Sequence, residues 1–576
     1  MSGVELRLPG ALERAVRVRL ARLDAEGFEG RLDRRDPTLW GRDPARQKVA
    51  ANRLGWLVAP VTMRAQTEAL RAFASEIRGE GFTRAVLLGM GGSSLAPEVL
   101  RRSLGVAPGF LDLVVLDNTS PAAVQAIVEG GDPARTLFLV SSKSGATIEV
   151  SCFEKVAFAW VAAARGEQAG RAFVAITDPA TPLERRARER GYRRVFTNPP
   201  DIGGRYSALS CFGLVPAALI GADLDAVLDA ASRESAMSEG DASAERNDAL
   251  RLGAALGELA LAGRDKVTLH LGAPLEALGS WIEQLLAEST GKEGKGLVPI
   301  VDEPLGPPSA YGADRVIVSV TVGVPVTEVS RRLQALEDAG HPVLSWSRAD
   351  ANALGAEFMR WEKATAVAGA VLDIDPFDEP NVSEAKQATQ ALLDRFLAAG
   401  ELPRPAPIAA ARGVEVVAPA AIAETLRPHV SDASDPFAWA AATAGLARPG
   451  DYFALLAYLH ETPERRTRLE RLRELVRGHS GLATTLGFGP RFQHSTGQLH
   501  KGGPNRGVFL QIVTSEGDRP IPGERYGFRT LQRAQALGDY QVLERRGRRV
   551  VRLDLGEAIE PGLDALAETF AAATRA

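Results

Sequence analysis

Leu137-Phe138-Leu139-Val140 runs into Ser141-Ser142-Lys143-Ser144-Gly145-Ala146-Thr147, and a segment of helical character follows. A short apolar run ending in Ser and Gly reads as a buried strand. Hydroxyls, backbone N–H groups and a helix dipole converge where the loop turns, which is what a phosphate dianion needs without a metal. A generic polar loop is the bland alternative. Four hydroxyls within seven residues at a strand-to-helix junction weigh against it. The loop is not a Walker loop, nor is Gly291-Lys292, because the position five before Gly291 is Leu286.

Outward from this stretch the same alternation repeats. Ala85–Leu88, Leu113–Leu116, Phe173–Ile176 and Val195–Thr197 are short apolar runs, each followed by a helix-like segment. That is the pattern of a doubly wound parallel sheet, whose ligands bind at the C-terminal ends of strands. After a polar helical bridge, Ser232 to Asn247, a second set begins with Val267–Leu271, Leu297–Val301, Val316–Val322 and Val343–Trp346. A helix is expected after Asn381, with Val382, Ala385, Leu392 and Phe396 on one face. Leu402-Pro403-Arg404-Pro405-Ala406-Pro407 marks a boundary. Beyond it, Val414–Val417, Phe453–Ala457, Val508–Ile512 and Val550–Leu553 suggest a smaller third α/β unit. The expected division is a helical segment over 1–44, α/β domains over 45–231 and 232–400, and a C-terminal α/β domain over 401–576.

Composition excludes several classes. With 576 residues, 45% hydrophobic and 24% charged, the chain reads as a multidomain soluble protein. A net charge of −4 argues against nucleic-acid binding. Two distant cysteines, Cys152 and Cys211, make neither a zinc motif nor a disulfide framework and fit a reducing cytoplasm. The first twenty residues lack the apolar core of a signal peptide, and no run of 18 uncharged apolar residues would span a membrane.

Five further stretches carry chemistry. Gly89-Met90-Gly91-Gly92-Ser93-Ser94 follows a strand, and its glycines allow a ligand close to the backbone. A dinucleotide fingerprint fails there, because the third glycine position is Ser94; a structural tight turn stays open. Gly203-Gly204-Arg205-Tyr206-Ser207 could aim a guanidinium at an oxyanion, or be a surface turn. Glu288, in Ala287-Glu288-Ser289-Thr290-Gly291-Lys292, ends a helix carrying Trp281, Ile282 and Leu285; taken alone, it reads as a solvated helix end. Asp375-Pro376-Phe377-Asp378-Glu379-Pro380 leads into the helix of Lys386, a lysine placed against the macrodipole. His494 and His500 lie six apart, with no carboxylate or Cys in the stretch to complete a metal site.

Taken in order, these motifs resemble the glucose-6-phosphate isomerase family, built on two sugar-isomerase domains. Trp361-Glu362-Lys363-Ala364-Thr365 also resembles the segment before the Lys386 motif. The resemblance covers roughly residues 45 to 400. The tail around His494–Pro504 and Leu531–Asp539 is similar to the isomerase half of bacterial transaldolase/isomerase fusions. The fold this implies is two doubly wound sugar-isomerase domains plus a smaller C-terminal α/β domain. The activity implied is aldose–ketose isomerisation of glucose 6-phosphate and fructose 6-phosphate through a cis-enediol. Glu288 would be the base and Arg205 the enediolate stabiliser. Gly92, Ser93, Ser142, Lys143, Ser144 and Thr147 would hold phosphate. Lys386 and a histidine would open the ring. The resemblance implies no cofactor and no metal, a phosphosugar as the small-molecule partner, and a homodimer.

Two departures stand out. Glu379, seven before Lys386, occupies a position where the family usually has Gln. The family's histidine usually lies between the Glu and Lys motifs, where this chain has only His341; His494 matches the local pattern better but follows Lys386. His494 is the expected ring-opening residue, with His341 and His500 as alternatives. Two other functions are compatible with the motifs: a dual phosphoglucose/phosphomannose isomerase, and a non-catalytic sugar-phosphate sensor.

Overall fold

Buried apolar runs too short for helices make the frame of the computed structural model, which describes residues 3–236, 243–324 and 326–573. A short strand, β1 (Glu5–Arg7), comes first. The first sheet then forms from β2 (Arg84–Leu88), β3 (Asp112–Leu116), β4 (Thr136–Ser141), β5 (Phe173–Thr177) and β6 (Arg194–Thr197). The second contains β7 (Lys266–Leu271), β8 (Val298–Ile300), β9 (Arg315–Val322) and β10 (Val343–Arg348). The third contains β11 (Ala409–Ala411), β12 (Val414–Val417), β13 (Tyr452–Tyr458), β14 (Ala483–Phe488), β15 (Gly507–Val513) and β16 (Arg549–Asp554). Every residue of β4, β5, β13 and β15 is buried, as expected when helices cover both faces of a parallel sheet.

The three sheets share one topology. Their orders are β3-β2-β4-β5-β6, β8-β7-β9-β10-β1 and β14-β13-β15-β16-β12-β11. In each, four strands are parallel; the first of these in the chain lies between the second and third, and the fourth lies outside the third. This is a doubly wound order with its switch point beside the first strand. The C-terminal unit thus repeats the architecture of the other two.

The edges depart from the reading by sequence. Residues 1–44 are not wholly helical, because β1 pairs antiparallel with β10, Glu5 opposite Ser345. The apolar runs do not reveal β11 or β14 either: Ala483-Thr484-Thr485-Leu486-Gly487-Phe488 mixes hydroxyls and Gly into its run. Of the bridge expected over Ser232–Asn247, helix Leu224–Ala236 covers the start and Asn247 caps helix Asp248–Leu261, while 237–242 lie outside the described residues. Residues 402–407 carry no regular structure.

Register positions the site. Leu88 lies beside both Leu116 and Val140, so the loops after β2 and β4 leave the sheet as neighbours. The third unit docks on this end of the first. Asn118 Nδ2 donates to the Leu459 carbonyl at 3.0 Å, and Thr119 Oγ1 to Gln535 Oε1 at 2.8 Å. Among the described residues, no helix is long and apolar enough to cross a membrane.

Candidate active site

The loop after β4 forms a hydroxyl-lined turn. Ser142 Oγ lies 3.0 Å from Thr147 Oγ1 and accepts the Gly145 N–H at 3.2 Å. Ser144 Oγ accepts the Ala146 N–H at 3.3 Å. Thr147 precedes helix Ile148–Arg165, whose first-turn N–H groups carry the positive end of the dipole. Lys143 turns its ammonium away: it pairs with Asp178 and donates to the Pro200 carbonyl at 3.1 Å. That leaves its backbone N–H as the group it can offer an anion.

Beside this loop lies the turn after β2. Ser93 is 9% exposed, and its carbonyl accepts from Ser141 Oγ at 3.1 Å. A Cβ on Gly92 would fall 2.1 Å from the Gly204 carbonyl oxygen and 2.9 Å from Arg205 N. Only glycine allows that approach. It brings the turn after β2 against the one that presents Arg205.

Arg205 is buried, and its Nε and Nη2 donors are engaged by protein groups. Nε donates to Ser289 Oγ at 2.8 Å, and Nη2 to the carbonyls of Pro376 and Asp378 at 2.8 and 2.9 Å. Nη1 meets two carboxylates: Glu379 Oε2 at 3.1 Å and Glu288 Oε1 at 3.4 Å. Glu288 ends helix Leu278–Thr290, and its other oxygen accepts from Gln284 Nε2 at 3.1 Å. Burial raises the Glu288 carboxyl above its ordinary range, against the opposing pull of Arg205, and the Glu379 charge adds to the rise. A carboxylate made more basic in this way suits proton abstraction near neutral pH. Burial works against the charge on Arg205, but Glu288 and Glu379 outweigh it, so Arg205 stays protonated.

His494 comes from the third unit, in the segment after β14. Its Nε2 lies 3.1 Å from Glu149 Oε1, and its carbonyl accepts from Gln284 Nε2 at 2.8 Å. Gln284 thus touches both Glu288 and the His494 backbone. Glu149 also accepts from Gln535 Nε2 at 2.8 Å. Burial alone would raise the Glu149 carboxyl; His494 and, more weakly, Lys386 hold it below its usual range. Lys386 sits exposed on helix Val382–Ala399, close enough to act on Glu149.

The other two histidines considered lie elsewhere. His500 is buried against Tyr452, Phe492 and Phe509, and burial drives its pKa well down. His341 packs against Tyr311 at the start of β10. Among the described residues no group of three or more His, Cys, Asp or Glu side chains could hold a metal ion. Reading by motif misses Glu149 and Gln284, and it gives no role to Ser289 or Gln535, which lie within stretches it does single out. Of these, Gln284 is findable, because it lies one helical turn before Glu288.

The family model described as phosphoglucose isomerase matches residues 59–304. The glucose-6-phosphate isomerase of Rubrobacter xylanophilus is 32% identical over 390 residues, 59% of this chain and 89% of that protein. The chain belongs to the glucose-6-phosphate isomerase family. An enzyme of that name from Thermus thermophilus is 28% identical over 428 residues, 65% of this chain and 100% of its own. A solved structure of a hypothetical protein from Thermus thermophilus superposes with TM-score 0.58 at 25% identity, covering 69% of this chain and 100% of that one. The glucose-6-phosphate isomerase from Chlamydia trachomatis, 18% identical, shares the fold: TM-score 0.54 over 68% of this chain and 87% of its own.

The relative from Rubrobacter aligns with 59% of this chain. The third sheet unit supplies the histidine that faces Glu149. His494 follows Lys386 in the chain and comes to Glu149 from the third sheet unit.

Proposed function

We propose that the chain interconverts glucose 6-phosphate and fructose 6-phosphate. Glu288 takes the proton from C2 of the open-chain aldose and returns it to C1, with a cis-enediolate between. Arg205 Nη1 meets the charge that develops on the enediolate oxygens. The hydroxyls of Ser93, Ser142, Ser144 and Thr147, with the backbone N–H groups of Gly92 and Lys143, bind the phosphate and place the carbons against Glu288. His494 and Lys386 move protons at the ring and anomeric oxygens. His494 is oriented by Glu149, which is oriented in turn by Gln535. No step calls for a cofactor.

The observation that carries this reading is the Glu288–Arg205 contact at 3.4 Å in a buried site. A protein that only senses sugar phosphates needs the cradle but neither of these groups. The family resemblance implies a homodimer in the cytoplasm. The groups invoked here are all named from one chain.

The test is a coupled assay of glucose 6-phosphate formation from fructose 6-phosphate. Wild-type protein turns over. Glu288→Gln loses at least about 10²-fold in kcat, the lower end for general-base removal, with its fold intact. Near-normal turnover in Glu288→Gln would show that another group is the base.

A further inference from the structure

Glu379 is the residue of this site that the reaction as described does not use. It lies on the turn between Pro376 and Asn381, its side chain 44% exposed, and takes Arg205 Nη1 at 3.1 Å. That contact is shorter than the one between Arg205 and Glu288, 3.4 Å. The rest of the guanidinium is fixed: Nε on Ser289, Nη2 on two carbonyls. Nη1 is therefore the one end of Arg205 that can respond to substrate. Two carboxylates share it.

We propose that Glu379 is a positioning residue: it holds Arg205 Nη1 beside the base before substrate binds, draws part of that cation away from Glu288, and cedes Nη1 to the substrate. This deepens the isomerase reading and rests on it. Of the two carboxylates, Glu288 must stay close to the carbon acid. Glu379, partly exposed on a turn, is the one free to withdraw. While Glu379 is charged, Arg205 is shared, and Glu288 is a stronger base than a fully paired carboxylate would be.

The surrounding charges set the sign. Facing Glu288 are Arg205 from the turn after β6, His494 from the third unit and Lys292 just past its own helix. Facing Glu379 are Arg205, Arg53 and Lys292. Asp378, beside it, pairs with Lys292 at 2.5 Å. Partial burial pushes the Glu379 carboxyl up, but Arg205 and Arg53 overcome it and keep the carboxyl below its ordinary range. Removing its charge leaves Glu288 with an undivided cation and no like-charged neighbour, so Glu288 ionises at lower pH.

The experiment compares wild type with Glu379→Gln and Glu379→Asp in the full chain. Two readouts are taken: the acid limb of kcat/KM against pH with fructose 6-phosphate, and the infrared band of protonated carboxyl that Glu288→Gln removes. In Glu379→Gln both midpoints move to lower pH by about half a unit or more. Glu379→Asp, which restores charge, moves them back toward wild type. Unchanged midpoints in Glu379→Gln overturn the proposal. The infrared titration needs no turnover. If wild type fails to isomerise the sugar, the functional reading falls while the sharing of Arg205 is still decided.

Discussion

A Cβ built on Gly91 would lie 3.0 Å from the Cβ of His494 and 2.9 Å from its carbonyl oxygen. Gly91 also has φ +54°, a left-handed conformation that side chains resist. The turn after β2 and the segment after β14 therefore touch at a residue that tolerates no side chain. Gly91→Ala must push the His494 segment away. We predict a loss of at least about tenfold in kcat for glucose 6-phosphate, since small misplacements at a site cost up to about 10²-fold. The conformational penalty on the fold is only about 1–2 kcal/mol. Kinetics and urea unfolding on the same preparation check this; full activity would show that His494 sits where no reaction needs it.

Much of the frame is legible in the sequence because buried parallel strands are continuous apolar runs. Phe453–Ala457 and Val508–Ile512 are such runs and lie within strands. β14 is not legible, because Thr484, Thr485 and Gly487 break its run. β1 is three residues long and gains its place only by pairing with β10, a partner far along the chain. In the site, motifs locate the loops, since glycines and hydroxyls cluster where backbone meets ligand. They cannot locate Glu149, and they reach Gln535 only inside the stretch Leu531–Asp539, without a role. Each is an ordinary helical residue until the fold sets it against His494 or Glu149, and contacts across 345 or 386 residues leave no local mark.

Ser142 and Thr147 share a hydroxyl contact at the helix start, and both would face the phosphate. Binding of this kind is equal in ground and transition states. We predict that Ser142→Ala with Thr147→Ala raises KM for fructose 6-phosphate about tenfold or more and lowers kcat much less. Steady-state kinetics decide the matter. An unchanged KM would remove the cradle from the site.

Glu283 gives a pH-dependent prediction. It lies on helix Leu278–Thr290, and burial, helped by Asp302, pushes its carboxyl up to about 7 against Arg473, Arg491 and Arg466. A carboxyl that binds its proton more tightly when folded stabilises most below its unfolded pKa, about 4.3. That contribution is lost as pH rises toward 7 and then levels off. Glu283→Gln stays neutral throughout. Its melting temperature should match wild type near pH 4.5 and exceed it by about 2–4 °C at pH 8. A scanning-calorimetry series shows it; a variant less stable at pH 8 would mean that the three arginines need the Glu283 charge.

His494 is the residue whose role separates best by choice of substrate. Histidine gives and takes protons near neutrality, its unperturbed pKa being about 6.5. Glu149, held by Gln535, lies 3.1 Å from one ring nitrogen of His494. A residue that opens the sugar ring matters for the cyclic aldose and little for a sugar phosphate already open. A residue that only ties the third unit to the first matters equally for both. We predict that His494→Ala lowers turnover of glucose 6-phosphate by at least about 10²-fold, the lower end for lost acid–base catalysis. The same variant should still exchange the C2 proton of an acyclic analogue with deuterated water at a rate within about tenfold of wild type, because Glu288 and Arg205 remain. Equal loss on both substrates would make His494 a structural tie. A silent His494→Ala beside a crippling His341→Ala or His500→Ala would move the role, although His500 lies among aromatic rings, where a proton relay has no ligand to serve.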